Sequence, residues 1–307
     1  MSQGSALFRT LRQKLPSVAL RAEEPLSART SFRIGGPAEV MAFPQNAEQL
    51  KAVLLAAREL GVCPLILGAG TNVLAPDEGI RGLVIYTRDA LREMRLLTPT
   101  RIEAMAGVPM ARLALFAKDA GLTGLEFAHG ITGTIGGGIY MNAGAYGGEL
   151  RNVAVKTEVL HFDGTSEVLE GEAQKFSYRN SAFQKMDGVI LRTELELQSG
   201  DREQIAARMR ELSEKRRASQ PLELPSAGSA FKRPQGGYAA ALIEQAGLKG
   251  FAVGGTAVSE KHAGFIVNYG GATAKDVLEL IHAVQEQVYE SSGVRLEPEI
   301  RLLGAKL

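Results

Sequence analysis

The sequence predicts an α+β protein that folds into two or three subdomains. At 307 residues the chain is longer than a single hydrophobic core usually serves. Segments with the two-residue alternation of strands and segments with helical periodicity both occur along it. After Gly200 a long charged helix begins, which indicates a domain boundary. With 45% hydrophobic and 22% charged residues, the composition is typical of a globular protein.

The chain begins with a short amphipathic leader over residues 1–24, in which we expect a helix over Leu7–Leu15. A β-α-β unit should follow. Its helix begins after Asn46, a good N-cap residue, and ends at Gly61. Its second strand is the continuously apolar run Cys63–Gly68.

A glycine-containing loop, Gly68–Gly79, follows this strand. Its G-x-G pattern is not that of a Rossmann loop, because Pro76 and Gly79 exclude the long helix that should come next. We expect a tight loop whose amides face an anion, and the alternative is an ordinary turn at a strand end. The amides expected to face the anion are those of Gly70, Thr71 and Asn72.

The densest glycine run, His129–Gly148, comes after strands near Gly82–Tyr86 and Arg101–Ala106 and a helix from Pro109 to Gly121. Large apolar side chains lie among its glycines, so the run should be packed and not a flexible linker. Packed glycines allow a ligand to approach the backbone closely. We expect a diphosphate held by N–H groups of a turn and a helix start, and the alternative is a glycine-rich helix crossing that binds nothing.

A polar loop, Lys175–Phe183, separates two alternating strands over residues 153–163 and 188–198. Tyr178 and Arg179 are adjacent within it. Loops of this kind are either plain surface connections or parts of a binding site, and the residues alone leave both possibilities open.

The charged helix begins after Asp201 and ends at Pro221. Its run Lys215–Arg217 should lie on a solvated face near the helix C-terminus and should not bind a polyanion. The later elements are a helix over Tyr238–Ala246, a strand over Gly264–Asn268, a helix over Thr273–Ser292 and a final edge strand over residues 294–304, with Glu297 and Glu299 on one face.

Several functional classes are not indicated. A net charge of +1 provides no field for nucleic acid. No apolar run reaches the length of a membrane helix, and the start of the chain lacks the apolar region of a secretory signal. The four histidines are scattered and no motif has metal-ligand spacing, so we expect no metal site. The single cysteine, Cys63, allows no internal disulfide and should be a buried, inert thiol.

Seven motifs, in order, resemble those of the UDP-N-acetylenolpyruvoylglucosamine reductase family. They are TSFRIGGPA, GAGTNVL, GLEFAHGITGTIGGGIYMNAGAYGGE, YRNSAF, PSAGSAFKRP, AVSEKHAGFIVN and LEPEIR. The resemblance covers about residues 26–304 and is to the shorter subclass of the family. It implies a two-part FAD-binding module of the vanillyl-alcohol-oxidase type over residues 25–199, divided near residue 87, and a smaller α+β substrate-binding domain over residues 200–307.

The resemblance also implies roles for single residues. The implied catalytic residues are Arg179, Ser229 and Glu299. The implied FAD-binding residues are Arg33, Gly35, Gly68, Gly70, Thr71, Asn72, Gly130, Thr132, Gly133, Gly136, Gly137, Asn142, Ala143, Gly144 and Ala145. The implied substrate contacts are Tyr178, Lys232 and His262. Although His129 precedes the glycine loop, the family does not attach flavin to histidine, so the resemblance implies non-covalent FAD.

The implied reaction reduces the enolpyruvyl ether of UDP-N-acetylglucosamine-enolpyruvate to UDP-N-acetylmuramate, a peptidoglycan precursor. NADPH reduces FAD, and the reduced flavin transfers hydride to C3 of the enolpyruvyl group. Arg179 and Glu299 would stabilise the charge that develops at the carboxylate. Ser229 would protonate C2, and Lys232 would lower the cost of the serine alkoxide. We expect a cytoplasmic monomer whose partners are NADPH and the UDP-sugar.

The chain departs from the usual family pattern at two positions. Thr132 replaces a common proline, and we expect diphosphate binding to survive this change. Gly138 replaces a common alanine, which should cost about 1 kcal/mol of stability if the position is helical. Two other functions remain open. One is a FAD-dependent oxidase of an alcohol or sugar, which would not need NADPH, and the other is a non-catalytic nucleotide-sugar binding protein, which would be colourless.

Overall fold

The computed structural model describes residues 4–304 of the chain. Its helices are α1 Ala6–Lys14, α2 Ala47–Glu59, α3 Met110–Asp119, α4 Ile135–Met141, α5 Arg202–Ser219, α6 Ala239–Gln245 and α7 Ala274–Ser292. Its strands are β1 Ala19–Pro25, β2 Pro37–Phe43, β3 Leu65–Leu67, β4 Val73–Leu74, β5 Ile80–Tyr86, β6 Met94–Leu96, β7 Arg101–Met105, β8 Leu122–Thr123, β9 Gly144–Ala145, β10 Gly148–Glu149, β11 Ala154–His161, β12 Ser166–Glu170, β13 Gly188–Glu196, β14 Gln198–Ser199, β15 Ser226–Ser229, β16 Ala252–Val253, β17 Thr256–Val258, β18 Phe265–Asn268 and β19 Arg301–Leu302.

The chain folds into two compact units made of interleaved segments. The first unit contains the chain up to Ala22, Val40–Ala69 and Gly82–Arg216. The second unit contains Glu23–Glu39, Gly70–Arg81 and the chain from Arg217 on. Each unit has its own cluster of buried apolar side chains. Neither unit is therefore a contiguous stretch of the sequence.

The first unit contains most of a four-stranded sheet of order β1-β2-β5-β3 and a five-stranded antiparallel sheet of order β12-β11-β13-β7-β6. Helix α2 begins as the sequence predicts, because the Gln49 N–H donates to Oδ1 of Asn46 at 2.9 Å. The Gln49 side chain accepts from the N–H of Gln45, so it does not return a hydrogen bond to the N–H of Asn46.

The second unit is built on an antiparallel sheet of order β15-β18-β17-β16. Helix α7 has a complete capping box between Thr273 and Asp276 at its start and ends at Gly293 in the left-handed region, with φ of 71°. Asp77 adds a second cap, since its carboxylate accepts from the N–H of Ala274 at 2.7 Å. The helix buries its apolar stripe in the core of this unit.

Three features differ from the sequence-based expectations. Strand β1 was not predicted. Cys63 is exposed and the prediction of a buried thiol was wrong, because β3 begins only at Leu65 and Cys63 lies in the irregular segment before it. The final strand is reduced to β19, since Pro298 has no N–H to give to a ladder and makes only an isolated bridge with Phe231. None of the described helices is long and apolar enough to cross a membrane.

Candidate functional site

The glycine-rich stretch forms helix α4, which follows a tight turn. The N–H groups of Ile135 and Gly136 donate to backbone carbonyls of Val108 and Ala106 at 2.8 Å each. Within residues 4–304 no backbone acceptor serves the N–H groups at the three remaining positions of this helix start, which are Gly133, Thr134 and Gly137. These donors are available to an anion, as the sequence predicts for a helix start.

The three consecutive glycines of α4 have different environments. A Cβ on Gly136 would lie 2.9 Å from Cβ of Ala106, and one on Gly138 would lie 2.8 Å from Cδ1 of Leu150. Ala106 packs against Gly136 with its Cβ and its backbone, so this position favours glycine, whereas the atoms near Gly138 belong to the flexible side chains of Leu150 and Met110 and could move aside. A Cβ on Gly137 would meet nothing closer than 3.9 Å, and this residue is exposed. The fold does not require glycine at position 137.

Arg216, near the end of α5, is packed against the glycine-rich stretch. A Cβ on Gly130 would lie only 2.7 Å from its Nε, and its Cζ lies 5.7 Å from the ring centre of Tyr146. Nε is buried without a hydrogen-bond partner among the described residues. Burial lowers the pKa of the guanidinium below its ordinary value. The side chain is half-buried and Nε alone lacks a partner within residues 4–304, an arrangement that suits an anionic ligand.

The prediction of a solvated Lys-Arg-Arg run is therefore wrong for Arg216. Ser213 lies three residues earlier on the same helix face, and its Oγ lies 3.2 Å from Nδ1 of His129. Lys215 and Arg217 are exposed, as predicted. The row of buried residues along α5 could have shown that Arg216 faces the protein, because position 216 lies one helical turn after the last of them. The row consists of Ile205, Met209 and Leu212.

Arg179 lies within a closed turn, Ser177–Asn180. The Ser177 N–H donates to the carbonyl of Asn180 at 3.0 Å, and the Asn180 N–H donates back at 3.2 Å. Arg179 adopts a left-handed conformation with φ of 54°. Its Cζ lies 4.9 Å from the ring centre of Tyr178, which is 48% exposed. The turn presents Tyr178 and Arg179 together.

The loop after β3 is fixed by close backbone contacts. A Cβ on Gly70, which has φ of 66°, would lie 2.3 Å from the carbonyl oxygen of Arg29. The Gly70 carbonyl accepts from the N–H of Ser31 at 3.0 Å. Gly35 has φ of 123°, and a Cβ there would lie 2.4 Å from Cβ of Ala75. Both predicted FAD-binding glycines are thus also required by the fold.

The other predicted cofactor residues occupy different positions. Gly68 lies beside the start of α4, since a Cβ there would be 3.3 Å from Oγ1 of Thr134. Arg33 is exposed and left-handed, with φ of 57°. Thr132 is exposed, whereas Asn142 is completely buried. Three more of these residues form or adjoin the two-residue strand β9, which pairs with β10, and they are Ala143, Gly144 and Ala145.

Asn72 connects the predicted FAD loop with Glu299. Its Nδ2 donates to the carbonyl oxygen of Glu299 at 3.3 Å. Its own carbonyl accepts from the N–H of Arg301 at 3.1 Å. The structure therefore brings two sequence-predicted site residues into contact within the second unit.

Ser229 and Glu299 lie on adjoining segments of one backbone ladder. Ser229 ends β15, and the carbonyl of the next residue, Ala230, accepts from the Glu299 N–H at 2.8 Å. Two residues further on, the Lys232 N–H donates to the carbonyl of Glu297 at 2.8 Å. The Lys232 ammonium also forms an ion pair with the Glu297 carboxylate. This pairing of Lys232 with Glu297 was not predicted from the sequence, although each residue lies in one of the seven motifs.

His262 is half-buried at the start of the segment that leads into β18. Its Nδ1 accepts from the N–H of Gly264 at 3.1 Å, so the ring is held as an acceptor on that side. Its ring centre lies 5.0 Å from that of Phe265 in an edge-on contact. Burial is the main cause that lowers the pKa of His262, which keeps the imidazole neutral near pH 7.

These groups support two kinds of chemistry. The first unit offers amide donors, the half-buried guanidinium of Arg216 and the Arg179 turn, all of which suit anionic ligands. The second unit offers a serine hydroxyl and a carboxyl group on one ladder, which suit proton transfer. Within the described part of the chain, no cluster of histidine, cysteine and acidic residues is arranged to hold a metal ion.

Two family models match the chain. Residues 38–170 match a model described as FAD binding domain. Residues 220–303 match a model described as UDP-N-acetylenolpyruvoylglucosamine reductase, C-terminal domain. The two matches do not overlap, and together they cover most of the sequence.

Individual relatives are similar over almost the whole chain. The chain is 46% identical to the UDP-N-acetylenolpyruvoylglucosamine reductase of Caldanaerobacter subterraneus subsp. tengcongensis, over 96% of this chain and 97% of that one. It is 42% identical to the enzyme of the same name from Clostridioides difficile, over 93% of each chain. The crystal structure of the reductase from Thermus caldophilus matches with a TM-score of 0.79 and 36% identity, covering 93% of this chain and 98% of that one.

Proposed function

The chain belongs to the UDP-N-acetylenolpyruvoylglucosamine reductase family, and from this premise we propose that Arg179, Ser229 and Glu299 carry its chemistry. The protein is a flavoenzyme that reduces the enolpyruvyl ether of UDP-N-acetylglucosamine-enolpyruvate with NADPH, through FAD, to the peptidoglycan precursor UDP-N-acetylmuramate. Its fold is a two-part FAD-binding module of the vanillyl-alcohol-oxidase type with a smaller α+β domain. The identity of 46% over 96% of the chain carries this function and favours it over the oxidase and the non-catalytic binder.

The residues around α4 fit the diphosphate of FAD. The N–H groups of Gly133 and Gly137 have no backbone acceptor among the described residues, and the unpaired Nε of Arg216 lies beside Gly130. These groups would hold the phosphate oxygens. Bound FAD supplies a two-electron carrier that takes hydride from NADPH and passes it to the substrate. We propose that FAD is bound non-covalently, with the ring of His129 engaged by Ser213.

The remaining predicted FAD contacts stay proposals, except for Gly136 and for the buried Asn142. Gly136 donates its N–H to Ala106 and packs against that residue, so we assign it to packing and not to the ligand. The contacts proposed to remain are Arg33, Gly35, Gly68, Gly70, Thr71, Asn72, Gly130, Thr132, Gly133, Gly137, Ala143, Gly144 and Ala145.

Gly137→Ala should strengthen the fold and weaken cofactor binding. Position 137 is helical, exposed and open, so alanine should raise the free energy of unfolding of the apoprotein by about 0.5–1 kcal/mol. The added methyl group would lie beside the phosphate donors, and we expect the FAD Kd to rise about tenfold, or about 1.4 kcal/mol. Urea unfolding of the apoprotein and titration with FAD measure the two effects. A stabilised variant with an unchanged Kd would place the phosphate elsewhere.

Arg179 would bind the carboxylate of the enolpyruvyl group. Its guanidinium is always charged and its fork matches two carboxylate oxygens. Addition of hydride at C3 moves negative charge into this carboxylate, so a fixed cation there is more valuable in the transition state than in the ground state. Glu299 would hydrogen-bond to the substrate, as the family resemblance implies, and its side chain is half-buried.

Ser229 would donate the proton that C2 requires. Hydride at C3 and a proton at C2 together saturate the double bond, and the serine alkoxide recovers its proton from solvent. The earlier expectation that Lys232 assists this step is not adopted, because its ammonium is ion-paired with Glu297. We propose that Lys232 contacts the substrate, as do Tyr178 and His262, whose Nε2–H remains a donor when Nδ1 accepts from Gly264.

We propose further that the protein acts as a cytoplasmic monomer. NADPH and UDP-sugars are its partners. The single cysteine of the sequence fits a reducing compartment. Sedimentation of the FAD-loaded protein at micromolar concentration measures the oligomeric state directly.

Two half-reactions of the purified wild-type protein test the function. The protein should be yellow, NADPH should bleach its flavin under anaerobic conditions, and the enolpyruvyl UDP-sugar should restore the colour. Colourless protein with unchanged sugar binding would support the binding-protein alternative. Bleaching followed by recovery only with O2 would support the oxidase.

A further inference from the structure

We propose that Asn142 is a positioning residue for Arg179, and that the C-terminal end of α4 holds the turn Ser177–Asn180 in place. This inference rests on the proposed role of Arg179. It replaces the earlier expectation that Asn142 contacts FAD. All of the hydrogen bonds concerned lie within the first unit.

The side-chain amide of Asn142 has hydrogen-bond partners within the protein at both its nitrogen and its oxygen. Asn142 is completely buried. Its Nδ2 donates to Oε2 of Glu149 at 2.7 Å and to the carbonyl of Ser177 at 3.0 Å. Its Oδ1 accepts from the N–H of Arg151 at 2.9 Å. Both amide hydrogens and the carbonyl oxygen have partners, so no donor of this side chain is left for a cofactor.

The Ser177 carbonyl is one end of the turn that carries Arg179. It accepts from Asn142 and also from the N–H of Asn180, which closes the turn. Asn142 therefore holds the turn at its base. This hydrogen bond is partly buried, and without it one of the two bonds that hold the Ser177 carbonyl would be lost, which favours a shift of the turn.

The last residues of α4 hold the other end of the same turn. The carbonyl of Tyr140 accepts from Oγ of Ser181 at 2.7 Å and from Nε2 of Gln184 at 2.9 Å. Nε2 of Gln184 also donates to the carbonyl of Arg179 itself at 3.0 Å. The C-terminal end of α4 thus forms hydrogen bonds with residues on both sides of Arg179.

The backbone conformation of Arg179 shows why the turn must be held by hydrogen bonds from outside it. Arg179 has φ of 54° and Asn142 has φ of 44°, both in the left-handed region. Asparagine tolerates this region at a helix end better than most residues, whereas arginine does not. A strained arginine persists only where the surroundings fix it. A displacement of about 1 Å at a catalytic group can cost about 100-fold in rate.

Asn142→Gly tests the inference, because glycine keeps the left-handed backbone without strain and removes only the side chain. We expect reoxidation of the flavin by the enolpyruvyl UDP-sugar to slow about 10- to 100-fold. Reduction by NADPH and the FAD Kd should stay within about twofold of wild type, since neither uses Arg179.

A double-mutant cycle separates positioning from general loosening of the fold. In an Arg179→Ala background, Asn142→Gly should slow reoxidation no further, because the group that it positions is absent. Thr157→Val is the matched control. It removes a buried hydroxyl that donates to Oε1 of Gln174 at 2.8 Å, and it touches neither end of the turn. It should lower stability and leave both half-reactions unchanged.

Equal slowing by Asn142→Gly in both backgrounds would overturn the inference, as would a weakened FAD Kd with slower NADPH reduction. If Asn142→Gly does not fold, Gln184→Ala must show the same pattern, because it removes the bonds to Arg179 and Tyr140. A wild-type protein that the enolpyruvyl sugar cannot reoxidise would instead overturn the proposed function. The two failures are therefore distinct.

Discussion

Replacing Ser229 with alanine should slow flavin reoxidation by the enolpyruvyl UDP-sugar about 10²- to 10⁴-fold, the usual contribution of a positioned proton donor. Reduction by NADPH should be unchanged, because that half-reaction requires no proton at C2. Stopped-flow measurement of flavin absorbance follows each half-reaction separately. A slow reoxidation together with an unchanged rate of reduction would identify Ser229 as a proton donor and not as a part of the cofactor site.

The neighbouring serine of the same strand supplies a matched control. Ser226 accepts from the N–H of Gly228 at 3.4 Å, and its replacement by alanine should leave both half-reactions near wild type. Ser229→Cys should recover part of the lost rate, since a thiol is also a proton donor. Reoxidation of the alanine variant at a rate close to wild type would show that another group protonates C2.

Arg216→Leu should have opposite effects on the apoprotein and on its FAD complex. Because Nε of Arg216 is buried and unpaired, removing the charge should leave the apoprotein at least as stable as wild type. The FAD complex should weaken, since a hydrogen bond to a charged group is worth about 1.5–3 kcal/mol, or roughly 10- to 100-fold in Kd. Thermal unfolding without flavin and titration with FAD measure the two quantities.

The adjacent arginine is the control for Arg216. Arg217 is exposed, so Arg217→Leu should change the FAD Kd by less than about twofold. An Arg216 variant with lower apoprotein stability and an unchanged Kd would assign the residue to packing alone. In that case Arg216 would not contact the FAD diphosphate.

The elements that sequence analysis predicted best are those determined by neighbouring residues. Asn46 and Thr273 cap helices, and Gly293 ends one, because each acts through hydrogen bonds within a few positions. The glycine-rich stretch was also interpreted correctly as packed, since its apolar residues and glycines are local features. The family resemblance then supplied the reaction, which the residues alone did not.

The parts that could not be predicted depend on contacts distant in sequence. Asn142 meets Ser177 across 35 positions. Arg216 meets Gly130, which no local pattern could indicate, although the row of buried residues along α5 pointed to that helix face. Cys63 was misplaced because an apolar run does not show where a strand begins. Tertiary partners decide such positions, and local propensity does not.

The interleaving of the two units constrains how the protein can form during its synthesis. The core of the second unit contains Phe32, Ile34 and Leu74 together with side chains from Ala227 to Ile300. A ribosome exports the first three long before the rest, so this core stays incomplete until most of the chain has been translated. For the same reason, exchange of the second unit between relatives requires three separate segments to be inherited together.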